Sequence, residues 1–186
     1  YLAADARSLG LFRIVFGLLL LGDLLHRWVQ LDFWYTNSGL LPNHTLLWRP
    51  PATHLFSLFF VASSRAEAAL GFGLCALVYA LFVAGYRTRL VHAAAIVCRI
   101  SLNSRLAVLE NGGDMVINLL ALFTFALPLG RRFSVDAWLH SLHATQPQTA
   151  EDGSRDRVQE RERQPVYSLA VLGLLLQFAL IYFFNA

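Results

Sequence analysis

The sequence predicts an all-α fold, a polytopic transmembrane helix bundle of about five spanning helices with its N-terminus in the cytoplasm. Hydrophobic residues make up 56% of the 186-residue chain and the mean hydropathy is +0.51, which is more apolar than an ordinary soluble domain. The apolar residues cluster into stretches near the ~20 residues that an α-helix needs to cross a bilayer. All 15 basic residues are arginines, and they are unevenly distributed between the predicted sides of the membrane.

The candidate spans follow one another along the chain, near residues 8–30, 66–86, 89–109, 112–130 and 166–186. The run LFSLFFVA at 55–62 is too short to span and predicts an interfacial or re-entrant piece. Before the last span, RRFSVDAWLHSLHA predicts a short interfacial helix, and the polar residues after it predict a solvated loop. We therefore expect a membrane module with four spans at 1–143, a mobile charged cytoplasmic loop at 144–165 and the fifth span at 166–186.

The arginines predict the orientation. With the N-terminus inside, the outer segments hold only Arg49 and Arg65, with Arg27 near the outer edge. The inner segments then hold Arg7, Arg87, Arg89, Arg131, Arg132, Arg155, Arg157, Arg161 and Arg163. This bias follows the positive-inside rule and places Ala186 outside.

Several function classes are disfavoured by the same residues. The arginines form no patch suited to nucleic acid, so we expect no nucleic-acid partner. Cys75 and Cys98 lie within apolar runs without ligand spacing, which predicts small core residues and no metal site. No phosphate-binding glycine loop and no nucleophile elbow occurs in the sequence. The partners expected from composition are the lipid bilayer and other membrane proteins.

Charged residues inside the first span predict a buried polar face. Arg13, Asp23 and Arg27 fall with Gly10 and Gly17 on a helical arc of roughly 140°. Charges facing lipid are costly, so these side chains are expected to face the bundle interior and to pair.

The third span carries a matching face. His92, Arg99, Asn103 and Glu110 are spaced by seven, four and seven residues, and Arg105 lies one turn before Glu110. Helix rise places Asp23 at a depth similar to that of Arg99 and Arg105, so either arginine is an expected partner.

The charges near the outer ends of the first and third spans are expected to pair as well. Arg27 is expected to meet Glu110 or Asp114, and NGGD at 111–114 predicts a turn with Asp114 capping the next helix. The whole set is either an ion-pair network that fixes helix register or a candidate pocket for a polar or anionic substrate.

Five stretches in order carry a resemblance. They are ARSLGLFRIVFGLLLLGDLLHR, DFWYTNSGLLP, SLNSRLAVLENGGD, FALPLGRRFSVDAW and LLLQFALIYFF. Their order and spacing resemble the vitamin K-dependent gamma-carboxylase-like membrane family, often called the HTTM domain. The resemblance covers most of the chain outside 144–165 and implies a multi-helix membrane module.

The resemblance also implies what to expect of catalysis. Animal members of the family carboxylate protein glutamates with reduced vitamin K, oxygen and carbon dioxide, and a lysine shortly after the IYFF-type helix acts as base. The 186 residues contain no lysine, so the resemblance assigns no catalytic residue here and implies a match to the front portion of the module.

Two functions follow from these observations. The first is a non-catalytic scaffolding or accessory subunit of a larger membrane assembly. Its helix faces would then contact partners or lipid through Phe56, Phe59, Phe60, Phe72, Phe82, Phe178, Phe183 and Phe184. The alternative is a quinol-linked enzyme of the carboxylase type whose catalytic portion lies beyond Ala186. No cofactor is evident for the first function, whereas vitamin K hydroquinone is implied by the second. The Arg-only, Ala- and Leu-rich composition suggests a bacterial inner membrane.

Overall fold

The computed structural model describes residues 3–48, 56–106, 111–130, 132–144, 166–167, 171–173, 175–177 and 179. The α-helices in these ranges are Ala6–Val29 (α1), Leu31–Trp34 (α2), Asn43–Leu47 (α3), Arg65–Ala84 (α4), Thr88–Arg105 (α5), Gly112–Phe125 (α6) and Val135–Ala144 (α7). A 3-10 helix covers Leu58–Phe60, and residues 171–173 and 175–177 are also helical.

The described residues confirm an all-helical fold. The one departure is a two-residue antiparallel pairing of Ala3–Ala4 (β1) with Val166–Tyr167 (β2), which the sequence analysis missed. The pairing brings the segment before α1 beside the segment that precedes the last helical residues. The predicted loop at 144–165 lies outside the described residues, except for Ala144 at the end of α7.

Capping residues set the helix boundaries. The Asp5 side chain accepts a hydrogen bond from the Arg7 backbone N–H and begins α1. Ser64 and Glu67 form a capping box at the start of α4. The same helix ends at Gly85, whose φ of 74° lies in the left-handed region that glycine adopts at low cost.

The long helices alternate in direction. Trp28 near the end of α1 contacts Phe72 in the first half of α4 (5.6 Å between ring centroids), whereas Gly17 lies against Phe82 and Val83 near the end of α4. These two helices are therefore antiparallel. A Cβ atom at Gly17 would stand 2.5 Å from Val83 Cγ2, so the close approach depends on glycine.

The α5 and α6 helices form a second antiparallel pair. His92 in the first part of α5 contacts Phe125 at the end of α6, and Arg99 further along meets Asp114 in the first turn of α6. Gln177 donates to the Val116 carbonyl at 3.1 Å, which ties the last described helical residues to α6.

Aromatic rings fill the core where the 3-10 helix meets the long helices. Tyr35, Phe59 and Phe72 are mutually in contact with centroid separations of 4.8–5.4 Å. Phe59, Phe72 and Phe82 are buried, which corrects the expectation that these rings lie on faces available to partners. Of the other phenylalanines in that expectation, Phe56 is exposed and Phe60 is partly buried, whereas Phe178, Phe183 and Phe184 lie outside the described residues.

Two of the described helices are long and apolar enough to cross a membrane. They are α1, with a mean hydropathy of 1.9, and α4, with 2.0. By contrast, α5 contains Arg89, Arg99 and Arg105, and α6 has only 14 residues. The last predicted span is only partly described. The five-span arrangement therefore stays a prediction.

Two smaller predictions can be compared with the structure directly. The segment at 135–144 forms the helix expected from its sequence. Cys75 and Cys98 are buried free thiols in the core, as predicted for small apolar residues.

Candidate functional site: a buried ion quartet

Two arginines and two aspartates from three helices form one closed set of ion pairs, which we call the ion quartet. Its members are Asp23 and Arg27 of α1, Arg99 of α5 and Asp114 of α6. Asp23 Oδ2 accepts from Arg27 Nε at 2.9 Å and from Arg99 Nη1. Asp114 Oδ1 accepts from Arg27 Nη2 at 3.0 Å and from Arg99 Nη2 at 2.6 Å.

The quartet is buried most deeply at Arg99. Side-chain exposure is 2% for Arg99, 12% for Asp114, 13% for Arg27 and 27% for Asp23. Two positive and two negative groups balance one another, which is how buried charges are accommodated in proteins. The Asp23–Arg99 pairing and the Arg27–Asp114 pairing expected from the sequence are both present.

Local sequence explains how each quartet member is held. Asp23 and Arg27 are four residues apart on α1 and so lie on the same face. Asn111 accepts from the Asp114 backbone N–H at 3.1 Å, and Asp114 Oδ2 accepts from the Asn111 N–H at 3.3 Å. Asn111 is thus the N-cap, and Asp114 is the third helical residue of a capping box. This corrects the expectation that Asp114 is the cap.

A cavity of about 250 Å³ lies beside the quartet. Its wall includes Asp23, Arg27 and Asp114 together with His26, Gln30, Trp34, Tyr35, Asn103, Leu106 and Asn111. Asn103 is 5% exposed and donates to Asn118 Oδ1 at 3.2 Å, while its own Oδ1 has no hydrogen-bond partner. The cavity therefore combines paired charges with a buried acceptor oxygen.

Arg13 does not belong to the quartet, although it shares a helical arc with Asp23. Its guanidinium lies near the other end of α1 and donates to the carbonyls of Val83, Leu129 and Phe133, at 3.3, 3.2 and 2.5 Å. Arg13 thus joins the end of α4 to the segment after α6.

His92 and Arg105 also lie apart from the quartet. The His92 ring packs between Phe82 and Phe125, with centroids 4.7 and 5.7 Å away. Arg105 is fully buried and donates to Asn43 Oδ1 and to the Leu41 carbonyl, the latter at 3.0 Å. Asp23 therefore pairs with Arg99 and not with Arg105. The predicted member Glu110 lies outside the described residues.

Sequence reasoning missed the polar connections made by loop residues. Asn43 Nδ2 donates to the carbonyls of Phe60 and Ala62, both at 2.9 Å, and so carries the Arg105 contact on to the 3-10 helix region. Tyr35 is fully buried and donates to the Leu102 carbonyl at 3.3 Å. No periodic pattern marks these two residues, because Asn43 begins the five-residue helix α3 and Tyr35 follows the four-residue helix α2, both too short for a helical pattern.

The chemistry available at this site is binding and positioning. Within the described ranges, no three His, Cys, Asp or Glu side chains are close enough to hold a metal ion together. The quartet oxygens and guanidinium groups hold one another, and in the cavity wall the Trp34 indole donates to Gln30 Oε1 at 2.8 Å, so the Asn103 oxygen is the wall acceptor without a partner among the described residues.

Comparison with known proteins adds no identification. No protein-family model, no curated protein and no solved structure matches the chain. The resemblance to the gamma-carboxylase-like family therefore stays a prediction from the five sequence stretches.

Proposed function

We propose that the chain is an integral membrane protein of a bacterial inner membrane and serves as a scaffolding or accessory subunit of a larger membrane assembly. One observation carries the membrane part of the proposal. Within the most apolar stretches of α1 and α4, only 39% and 28% of the residues are buried. A core helix of a water-soluble protein turns its apolar face inward, whereas a helix surrounded by lipid leaves apolar residues outside.

The outward apolar residues recur on three helices. They are Leu11, Val15, Leu18, Leu19 and Leu25 on α1, Leu70, Leu74 and Leu77 on α4, and Met115, Leu119 and Leu122 on α6. The quartet charges face inward at the same time. An apolar exterior around paired interior charges is the arrangement expected in a bilayer.

The distribution of arginines supports an N-terminus in the cytoplasm. Arg7 and Arg132 border one groove, Arg87 precedes α5 and donates its backbone N–H to Asp136 of α7, and Arg89 lies in the first turn of α5. These arginines gather at one end of the helices, opposite the quartet end. The positive-inside rule places that end in the cytoplasm.

The subunit role is supported by open glycines on the outward faces. Gly22 of α1 and Gly73 of α4 are exposed, and a Cβ atom at either position would meet nothing within 4 Å. Exposed small residues between large apolar ones allow a second helix to approach closely.

Membrane integration is tested by washing membranes that contain the full chain with alkaline carbonate. Retention in the pellet is expected, and release into the supernatant would contradict the proposal. The subunit role is tested by extraction in a mild detergent and by measuring the mass of the native complex. A complex with a fixed ratio of partners is expected, whereas a lone chain after gentle extraction would contradict it.

A matched pair of variants tests where partners pack. Gly73→Leu should reduce recovery of the complex because its side chain occupies the space used by a neighbouring helix. Leu74→Ile keeps size and polarity on the same helix and should leave the complex intact. Equal recovery from both variants would exclude this face as the contact.

The cavity beside the quartet favours a second candidate, a quinol-linked membrane enzyme of the carboxylase type. Its support is the unpartnered Asn103 oxygen in the wall of a cavity next to paired charges. The two functions are separated by an assay of the purified chain with reduced vitamin K, oxygen, labelled carbon dioxide and a glutamate peptide. The subunit role predicts no incorporation, and label above a heat-killed control would favour the enzyme.

A further inference from the structure

A groove at the arginine-rich end of the helices has the chemistry of a lipid headgroup site. It lies between the start of α1, the end of α4 and α7, and has a volume of about 790 Å³. Arg7 and Arg132 supply positive charge to its wall, and the hydroxyls of Ser134 and Ser141 in the same wall donate to the backbone carbonyls of Gly130 and Trp138.

Two large aromatic side chains of this groove are exposed. Phe133 is 63% exposed and Trp138 is 62% exposed. Tryptophan is enriched at headgroup level, where its apolar ring and polar N–H meet apolar and polar surroundings. The exposure of Trp138 is therefore explained if this groove lies at the membrane surface.

The floor of the groove is fixed by contacts with α1. The Phe133 carbonyl accepts from Arg13, and Phe133 has a φ of 54°, in the left-handed region that non-glycine residues rarely adopt. A Cβ atom at Gly10 would stand 2.7 Å from the Arg132 carbonyl oxygen, so α1 lies directly against this backbone. The groove is thus held in shape before any ligand binds.

Charge at this end favours an anionic ligand. Arg87 and Arg89 are exposed at the start of α5, where their guanidinium groups lie 6.0 Å from the centre of the Tyr86 ring and 5.9 Å from that of the Phe125 ring. The nearby carboxylate of Asp136 is occupied by the backbone N–H groups of Arg87 and Thr88, at 2.7 and 2.8 Å. The Asp5 carboxylate accepts from the backbone N–H of Arg7 and caps α1.

The outward face of α1 continues from the groove as an apolar stripe. Arg7, Leu11, Val15 and Leu18 are spaced by four, four and three residues, so they lie on one helix face, and all four are exposed. A ligand with an anionic head at Arg7 and an apolar chain along Leu11 and Val15 would match this face over more than two helical turns.

We propose that this groove binds the phosphate-bearing headgroup of an anionic phospholipid, with an acyl chain lying along the α1 stripe. The proposal rests on the membrane location proposed above. Arg7 and Arg132 bind the phosphate, and Trp138 and Phe133 lie at the level of the glycerol backbone. The lipid thereby joins α1 to α7.

The experiment uses the full chain purified in detergent and inserted into nanodiscs of phosphatidylcholine with or without phosphatidylglycerol. Retained lipid is measured by native mass spectrometry for the wild type, Arg7→Gln, the double variant Arg7→Gln/Arg132→Gln, and Arg65→Gln. Arg65 is an exposed arginine outside the groove, so its replacement is the matched control. A single arginine at a membrane surface contributes about fivefold in affinity for an anionic lipid.

We expect the wild type to retain phosphatidylglycerol over phosphatidylcholine, Arg7→Gln to bind it about fivefold more weakly and the double variant about 30-fold more weakly. Arg65→Gln should change binding less than twofold. Equal retention of the two lipids, or an equal loss in Arg65→Gln, would overturn the proposal. Arg7→Gln keeps the test valid if the double variant folds poorly, since Arg7 is exposed.

Two further measurements distinguish a lipid from a soluble phosphate ligand, and failure of the lipid site from failure of the membrane proposal. Glycerol 1-phosphate should not displace the lipid at equal concentration, because it lacks the acyl chain; full displacement would point to a soluble phosphate ligand and overturn the lipid assignment. Insertion without preference for phosphatidylglycerol would refute only this inference. A chain that inserts into neither nanodisc would refute the membrane proposal itself.

Discussion

Replacing Asp114 by asparagine should destabilise the fold strongly, because two guanidinium groups lose a shared carboxylate. Arg99 is 2% exposed and cannot regain water, and the asparagine oxygen carries no charge. Removing one partner of a buried ion pair costs about 3–5 kcal/mol. Asp23 still accepts from both arginines, so we expect the lower end of that range, about 3 kcal/mol.

The matched control is Asp32→Asn. Asp32 accepts from Arg65 at 2.8 Å, and both side chains of that pair are largely exposed. Exposed pairs contribute about 0–1 kcal/mol, so this variant should resemble the wild type. Comparing the two variants separates the effect of burial from the loss of a carboxylate charge as such.

The free energy of unfolding is measured by titrating denaturing detergent into mixed micelles and following helicity by circular dichroism. The double variant Arg99→Gln/Asp114→Asn removes one charge of each sign. It should be less destabilised than the sum of its single changes by about 1–3 kcal/mol. Equal stability of Asp114→Asn and Asp32→Asn, or strict additivity in the double variant, would refute the quartet as a coupled unit.

Three other outcomes are expected. Gly17→Ala should lower the midpoint of thermal unfolding, since overpacking costs about 1–3 kcal/mol. Gly22→Ala, with open space around it, should keep or raise the midpoint of the purified chain. The reverse order of the two midpoints would contradict the packing of α1 on α4. Burial opposes ionisation of Asp136, but hydrogen bonds at the start of α5 outweigh it and set its pKa below the usual value. The contribution of this carboxylate to the free energy of unfolding is therefore complete above pH ~4 and is lost as the pH falls through the lowered pKa. In Asp136→Asn this loss of stability in acid should disappear. If the same loss persists in the variant, Asp136 is not its source. A cysteine introduced as Ser154→Cys should react in intact cells only with membrane-permeant reagents, and rapid reaction with an impermeant one would reverse the orientation.

Helical periodicity was sufficient to predict the centre of the candidate site. Asp23 and Arg99 lie on polar faces at matching depth, and burial of those faces leaves them few partners except each other. The same reasoning placed Arg27 near Asp114. These pairings involve regular helices, where sequence spacing fixes both direction and height.

The same periodicity gave wrong partners for residues that share a helix face but lie at different heights along the helix axis. Arg13 shares the arc of Asp23 but precedes it by ten residues, which is roughly 15 Å along the helix. His92 is likewise about 10 Å below Arg99. The partner of Arg105 is Asn43, in a short helix after an irregular segment, and no spacing rule connects the two.

The wide sequence separation between Arg13 and its acceptors has a consequence for biogenesis. Asp23 and Arg27 are one turn apart and can pair as soon as α1 forms, so in the proposed membrane location that part of the helix would enter the bilayer with its charges already matched. Arg13 has no such neighbour, and its carbonyl acceptors are synthesised 70, 116 and 120 residues later.

The Arg13 guanidinium, which opposes early insertion of α1 in the proposed membrane location, thus stabilises the final fold through its three carbonyl contacts. An arginine within a span costs about 2.5–3.5 kcal/mol on insertion scales, so Arg13→Leu should insert more efficiently as an isolated segment. The full-length variant should nevertheless be less stable, because the carbonyls of Val83, Leu129 and Phe133 lose their shared donor. If α1 spans a membrane as proposed, efficient membrane entry and a stable end state therefore place opposite demands on Arg13.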